Sequence, residues 1–140
     1  MSLTTARWIA MALYLTGLVV MPLIGAAIKV SARLPAGTVA LLGPVFLALG
    51  VADYVVSLVL ERMMLSKAPA TPSPGTRAAA AAIAVASTGQ SLGVLGLVLS
   101  LLGAGSWAWG LYVLCLAHGV HLMIRWPSYE SAAAGETYGP

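Results

Sequence analysis

The stretch Thr38–Leu60, TVALLGPVFLALGVADYVVSLVL, decides the class of this protein. Its only charged residue is Asp53, and the next charge is Glu61 just beyond its end. A helix crosses the hydrocarbon of a bilayer with about 20 predominantly apolar residues, within a range of roughly 17–25. This run is long enough. Three others accompany it: Trp8–Ile28, Ala78–Leu102 and Trp107–Ile124, the last at the short end of the range. The expected fold is all-α, an integral membrane four-helix bundle built from two transmembrane hairpins, forming a single transmembrane domain over residues 1–140.

Composition agrees with this reading. The 140 residues are 60% hydrophobic and 8% charged, against about 25% charged in a soluble domain. So little charge does not cover a water-exposed surface, which leaves lipid or partner protein as the surroundings. The formal net charge of +3 is not a nucleic-acid signature, because the basic residues lie at helix ends and form no patch. They mark topology instead. Arg7, Arg62, Lys67, Arg77 and Arg125 fall on one side, against Lys29 and Arg33 on the other. The positive-inside rule then places both termini and the middle loop in the cytoplasm, in what is expected to be a bacterial inner membrane. The N-terminal run resembles a signal peptide in having one Arg before an apolar core. It is too long for a typical signal core and reads as the first spanning helix.

The punctuation between runs sets the connections. Pro22 and Pro44 predict kinks, since an internal proline removes one helix hydrogen bond. Lys29–Gly37 is a short connection, so the first two helices form an antiparallel hairpin. The linker 61–77 (ERMMLSKAPATPSPGTR) turns rich in Pro, Ser and Thr. Its first residues extend the second helix into water, and its later part is expected to be extended. Gly103–Ser106 is a tight turn into the last run, followed by Trp107 and Trp109 at an expected aromatic belt; Trp8 and Trp126 suit the opposite interface. The tail 127–140 is polar and small, and reads as a surface strap or flexible end. The two halves show no convincing internal repeat.

Asp53 is the strongest chemical signal. A carboxylate at the centre of a spanning helix costs roughly 2.5–3.5 kcal/mol on insertion scales, so it faces a partner, a cavity or an ion. Gly50, one turn away, opens room for another helix, on a face expected to include Phe46, Leu49, Val56 and Ser57. Counted from the inner helix ends, Asp53 and His118 lie within about one turn of each other in depth. Gln90 lies near the middle of the third run. These three form the expected intramembrane polar cluster, with Asp53 and His118 meeting directly or through water as a lock between the second and fourth helices. His118 and His121 stand at i, i+3 on one face. That spacing offers a metal two ligands where a site needs more, so no metal is expected. A haem bound through a single axial histidine, His118 or His121, is the one cofactor reading. The lone Cys115, within the fourth run, reads as a small buried apolar residue.

The third run carries a packing pattern. Ala82, Ala86, Gly89, Gly93, Gly96, Ser100 and Gly103 recur at steps of 4 and 3 and share one helix face. Small residues let two helix backbones approach closely, which lipid tails do not match. The partner helix is either internal or in another subunit.

The segment Gln90–Val98 (QSLGVLGLV) resembles the carboxylate helix of rotary-ATPase proteolipids, the c and K subunits, in which a Glu is followed six residues later by Gly-Leu-Val. The resemblance covers ten to fifteen residues. The family's ion-carrying Glu falls on Gln90, which does not titrate, and the glycine ladder of the family's first helix is missing from Trp8–Ile28. The resemblance implies a tightly packed hairpin beside copies or relatives, not a working ion rotor.

No Gly-rich phosphate loop, activated nucleophile or metal-binding motif is present, and the soluble segments are too short to house an active site. The expected function is therefore a small, non-enzymatic accessory subunit of a larger membrane complex, of the energy-converting kind. Its partners would be membrane lipids and larger membrane subunits or copies of itself, with no nucleic acid. A proteolipid-like proton or ion conductor using Asp53, and a haem- or quinone-binding membrane anchor, are the alternatives.

Overall fold

The computed structural model describes residues 1–28, 34–66 and 73–135. Four helices, each long and apolar enough to cross a membrane, make up these residues: α1 (Leu3–Ala27), α2 (Ala36–Ser66), α3 (Pro74–Leu101) and α4 (Gly105–Ala133). The protein is an all-α membrane bundle. Lys29, Arg33 and Lys67, three of the seven topology-marking residues, lie outside the described residues.

Local chemistry sets the helix ends. The Ser2 hydroxyl caps α1 by accepting from the Thr5 amide at 3.1 Å. Ser73 caps α3 by accepting from Thr76 at 3.4 Å, with Pro74 in the first turn, where its missing amide costs nothing. At the other end of α3, Gly103 adopts φ +85°. Its amide donates to Ser100 and the next amide, of Ala104, donates to Leu99 at 2.8 Å. That pair of bonds is a Schellman closure, which needs a left-handed residue and so favours glycine. Gly103 is thus a turn residue, and the last member of the expected packing stripe drops out of it.

Pro22 acts upstream of itself. Its ring crowds the Leu18 carbonyl and it offers no amide, so an α-helical turn does not close there. The helix widens instead into a π turn at Thr16–Val20, where the Met21 amide reaches back five residues to Thr16. Gly17 sits in this widened turn and is buried. By contrast, α2 runs unbroken through Pro44.

The tail was expected to be polar strap; its first part is helix. α4 continues through Pro127 to Ala133 and buries Trp126, Tyr129 and Ala132. Those residues extend the buried stripe of Leu111, Cys115, His118 and Leu122 at steps of three and four. An internal proline costs about 3 kcal/mol, and the burial of the Trp126 and Tyr129 rings works against that cost. Trp126 is therefore core rather than an exposed interfacial anchor. It stacks on Tyr129 at 5.7 Å between ring centroids. Trp107 packs against α2, with Gly43 providing the space: a Cβ there would lie 2.4 Å from the indole. Trp8 and Trp109 stay exposed.

α3 is the central helix and packs against all three others. Ala82, Ala86, Gly89, Gly93 and Gly96 are buried and Ser100 half-buried, so the small-residue face is used inside this chain. At Gly93 the backbones of α1 and α3 touch, and a Cβ added there would stand 2.6 Å from the Gly17 Cα. At Gly89 and Gly96 the missing side chains admit the rings of Tyr14 and Tyr112. α2 is held by a thin seam only: Gly43, Gly50, Ser57, Glu61 and Leu65 are its buried residues. Leu49 and Val56, expected on the Asp53 face, are instead about half exposed.

Candidate functional site: a buried polar ladder

Three residues of α2 at steps of four are polar: Asp53, Ser57 and Glu61. α4 carries His118, His121 and Arg125 at matching heights. The spacings i, i+4, i+8 and i, i+3, i+7 each place three side chains on one helix face. α2 and α4 run in the same direction, and the two faces meet at Ser57–His118 and at Glu61 with His121 and Arg125.

The middle rung is a directed chain. The Ser57 hydroxyl donates to the Tyr54 carbonyl at 2.7 Å. With its one hydrogen used there, its oxygen accepts from His118 Nε2, 2.5 Å away. The other ring nitrogen, Nδ1, accepts from the Tyr14 hydroxyl of α1. Three helices are tied through one imidazole, and the hydrogen-bond partners specify its tautomer. Gly89 of α3 makes room for this junction, since a Cβ there would lie 2.7 Å from His118 Nδ1 and closer still to the phenol ring. The Tyr54 ring stands edge-on to His118, with centroids 5.0 Å apart. Ser57 and His118 are wholly buried.

The upper rung joins α2 to α3. Asp53 Oδ2 accepts from the Ser91 hydroxyl, which also lies 2.6 Å from the Thr88 carbonyl. Asp53 and His118, expected to meet directly or through water, each bond other side chains directly, forming two neighbouring locks one turn apart. Gln90 joins neither. It is half-buried and makes no side-chain hydrogen bond among the described residues, and its Cα lies close to the Gly17 contact instead. The physical reason is helix phase: Ser91, one residue further along α3, is turned about 100° from Gln90 and faces α2. Gly50 does admit its neighbours near the carboxylate, namely Leu111 of α4 and Leu92 of α3.

The lower rung is ionic. Glu61 is nearly fully buried and accepts from His121 Nε2 at 3.0 Å and from Arg125 Nε at 3.3 Å. The sequence reading placed Glu61 at the start of a linker. The signal that reveals it is the four-residue polar period running past the end of the apolar stretch, together with the complementary His-His-Arg face on α4.

This geometry bears on the haem reading. His118 has both ring nitrogens in hydrogen bonds inside a closed junction, and His121 Nε2 is held by Glu61. An iron at His118 would break the three-helix junction, so the residues present do not fit an axial ligand there. Cys115 is a free thiol, wholly buried, with Sγ against Gly17.

The junction predicts a measurable coupling. Tyr14→Phe and Ser57→Ala each remove one bond to His118. Interhelical bonds of this kind contribute about 0.6–2 kcal/mol each in membranes. In a double-mutant cycle read by chemical denaturation in detergent, the two changes are expected to be non-additive by about 0.5 kcal/mol or more. Strict additivity would show that the imidazole does not couple α1 to α2. The chain matches no protein-family model, no curated protein and no solved structure, so this ladder rests on its own geometry.

Proposed function

We propose that this protein is a small, non-catalytic subunit that packs into a larger membrane assembly, with the polar ladder as the internal lock that holds its shape. The observation that carries this reading is the division of labour on α2. One thin seam binds the bundle, while Leu41, Val45, Val51, Val55 and Val59 are left bare along most of its length. Valine is stiff at χ1, so such a face loses little side-chain freedom when another helix packs on it. The polar side chains point inward and tie this chain to itself, which leaves the outer faces to apolar partners. An energy-converting host suits the proteolipid-like segment Gln90–Val98. The positive residues Arg7, Arg62, Arg77 and Arg125 favour a cytoplasmic side for both termini.

Purification from native membranes in mild detergent, followed by mass spectrometry of what remains bound, tests this reading. Larger membrane subunits in fixed ratio to the chain are the expected result. A homogeneous ring of this chain alone would transfer the function to a proteolipid-like assembly, and a lone monomer would sink both.

A second reading, proton or ion conduction, draws on the succession of Asp53, His118, Tyr14, Glu61 and His121 through half of the bundle. Its test is Asp53→Asn in liposomes. An amide donates to Ser91, which passes its hydrogen to the Thr88 carbonyl, so the variant is expected to fold within about 1 kcal/mol of the parent. On the structural reading, ion flux is unchanged by this substitution. Abolished flux in a folded variant would establish conduction.

A further inference from the structure

The polar ladder leaves one feature of the molecule unused. α1 leans on α3 and touches α4 only sparsely. Between α1 and α4 lies a half-open, almost entirely apolar cavity of about 580 Å³. This is within the roughly 300–1,000 Å³ range of small-molecule sites. Its walls run along α1 from Arg7 to Val19 and along α4 from Leu116 to Trp126.

Two properties identify an occupant. The first is length. The thirteen residues of α1 from Arg7 to Val19 span about 18 Å at the helical rise, close to the half-thickness of a hydrocarbon core about 30 Å deep. The groove thus reaches from one membrane surface to near the midplane, the span of an acyl chain in one leaflet. The second is charge. The surface end of the groove holds the Arg7 guanidinium, 5.6 Å above the centre of the Trp126 ring. Trp8 is exposed beside it, as suits a headgroup-level aromatic. Among the described residues Arg7 makes no ion pair with a carboxylate. The ring orients the cation without neutralising it, and an anionic group at headgroup depth completes the site.

We propose that the α1–α4 groove is a binding site for one anionic phospholipid, its headgroup on Arg7 and one acyl chain along Met11, Leu15, Val120 and Met123. The site uses no part of the α2 face invoked for the assembly role, and it meets the ladder only at Tyr14, which lines the groove and bonds His118.

Native mass spectrometry of the full chain, exchanged into vesicles or nanodiscs of mixed phosphatidylglycerol and phosphatidylcholine, tests it. The parent is expected to retain one phosphatidylglycerol in preference to phosphatidylcholine. Arg7→Gln is expected to reduce that preference about fivefold, the effect of one basic contact at a membrane surface. Arg62→Gln, at the same end of the bundle but off the groove, should leave it unchanged. Val120→Trp fills the groove from its exposed side and is expected to displace the retained lipid of either class while the fold stays intact. Equal retention of the two lipids would overturn the proposal. So would a preference lost equally in Arg7→Gln and Arg62→Gln, which would reflect general surface charge. A protein crosslinked to the groove through a photoreactive residue at position 19 would assign it to a partner helix instead.

Discussion

Gly93→Val is expected to be among the most destabilising single substitutions in the described bundle. The added methyl groups start from a Cβ that would stand 2.6 Å from the Gly17 Cα and 2.9 Å from its carbonyl oxygen. Overpacking a core costs about 1–3 kcal/mol when side chains are able to yield. Here the opposing atoms are backbone, so α1 itself must move away from α3, and the cost is expected at or above about 3 kcal/mol. The displacement also strains the middle rung, because Tyr14 lies on the same face of α1 and reaches His118 past Gly89. Gly37→Ala and Gly75→Ala are the matching controls. Neither position has a neighbour within 4 Å of an added Cβ, and both are helical, so alanine is expected to be neutral or stabilising by up to about 1 kcal/mol. Unfolding of the three variants in detergent, followed by circular dichroism, reads the difference. A Gly93→Val protein as stable as the controls would mean that α1 does not rest on α3 at Gly17.

The second large effect is an asymmetry in the ionic rung. Removing both hydrogen-bond donors, as His121→Ala with Arg125→Ala, takes from the Glu61 carboxylate, which is 3% exposed, its Arg125 counter-charge and its His121 hydrogen bond. Leaving a buried charge uncompensated typically costs about 3–5 kcal/mol. The converse change, Glu61→Gln, leaves His121 and Arg125 facing a neutral amide, and their side chains are already 28% and 33% exposed. Arg125 in particular has a long stem that carries its charge toward the headgroups. Its expected cost is about 1–2 kcal/mol, that of a weakened hydrogen-bond set. The same denaturation assay compares the two. Equal losses would place Glu61 in a solvated position and remove the lower rung from the lock.

Much of the fold was legible in the chain because the bilayer imposes a strong length constraint. Four apolar runs are read from composition; the first and third end within one residue of their helices, and the second helix runs six residues past Leu60, to Ser66. The fourth was read too short because Pro127 and the polar letters after it look like an exit from the membrane. Tyr129 and Ala132 show otherwise, since they continue a buried stripe that is invisible without the neighbouring α3. The polar site was legible in part. Asp53 and His118 were singled out by cost and by depth, and both do tie helices together. Their partners were not, because depth places two residues at one level of the membrane without placing them on facing sides. Ser91, not Gln90, meets Asp53, by a rotation of one residue on α3. Tyr14 and Ser57 meet His118; Ser57 was expected on the Asp53 face, but a lone Tyr or Ser carries too small a desolvation cost to reveal its partner.

The sequence by itself determined that four helices span a membrane, where their small faces lie, and that some polar groups must be paired inside. Those are properties of single segments: hydropathy, period and the cost of an isolated charge. Only the tertiary structure decided which groups pair. It spends the small-residue face of α3 within this chain, turns the apparent linker residue Glu61 into a buried anchor, and opens the groove between α1 and α4. Each of these depends on helix rotation and on the close contact of Gly17 with Gly93. That contact is set by backbone atoms of two segments 76 residues apart in the chain, and no local pattern in either segment specifies it.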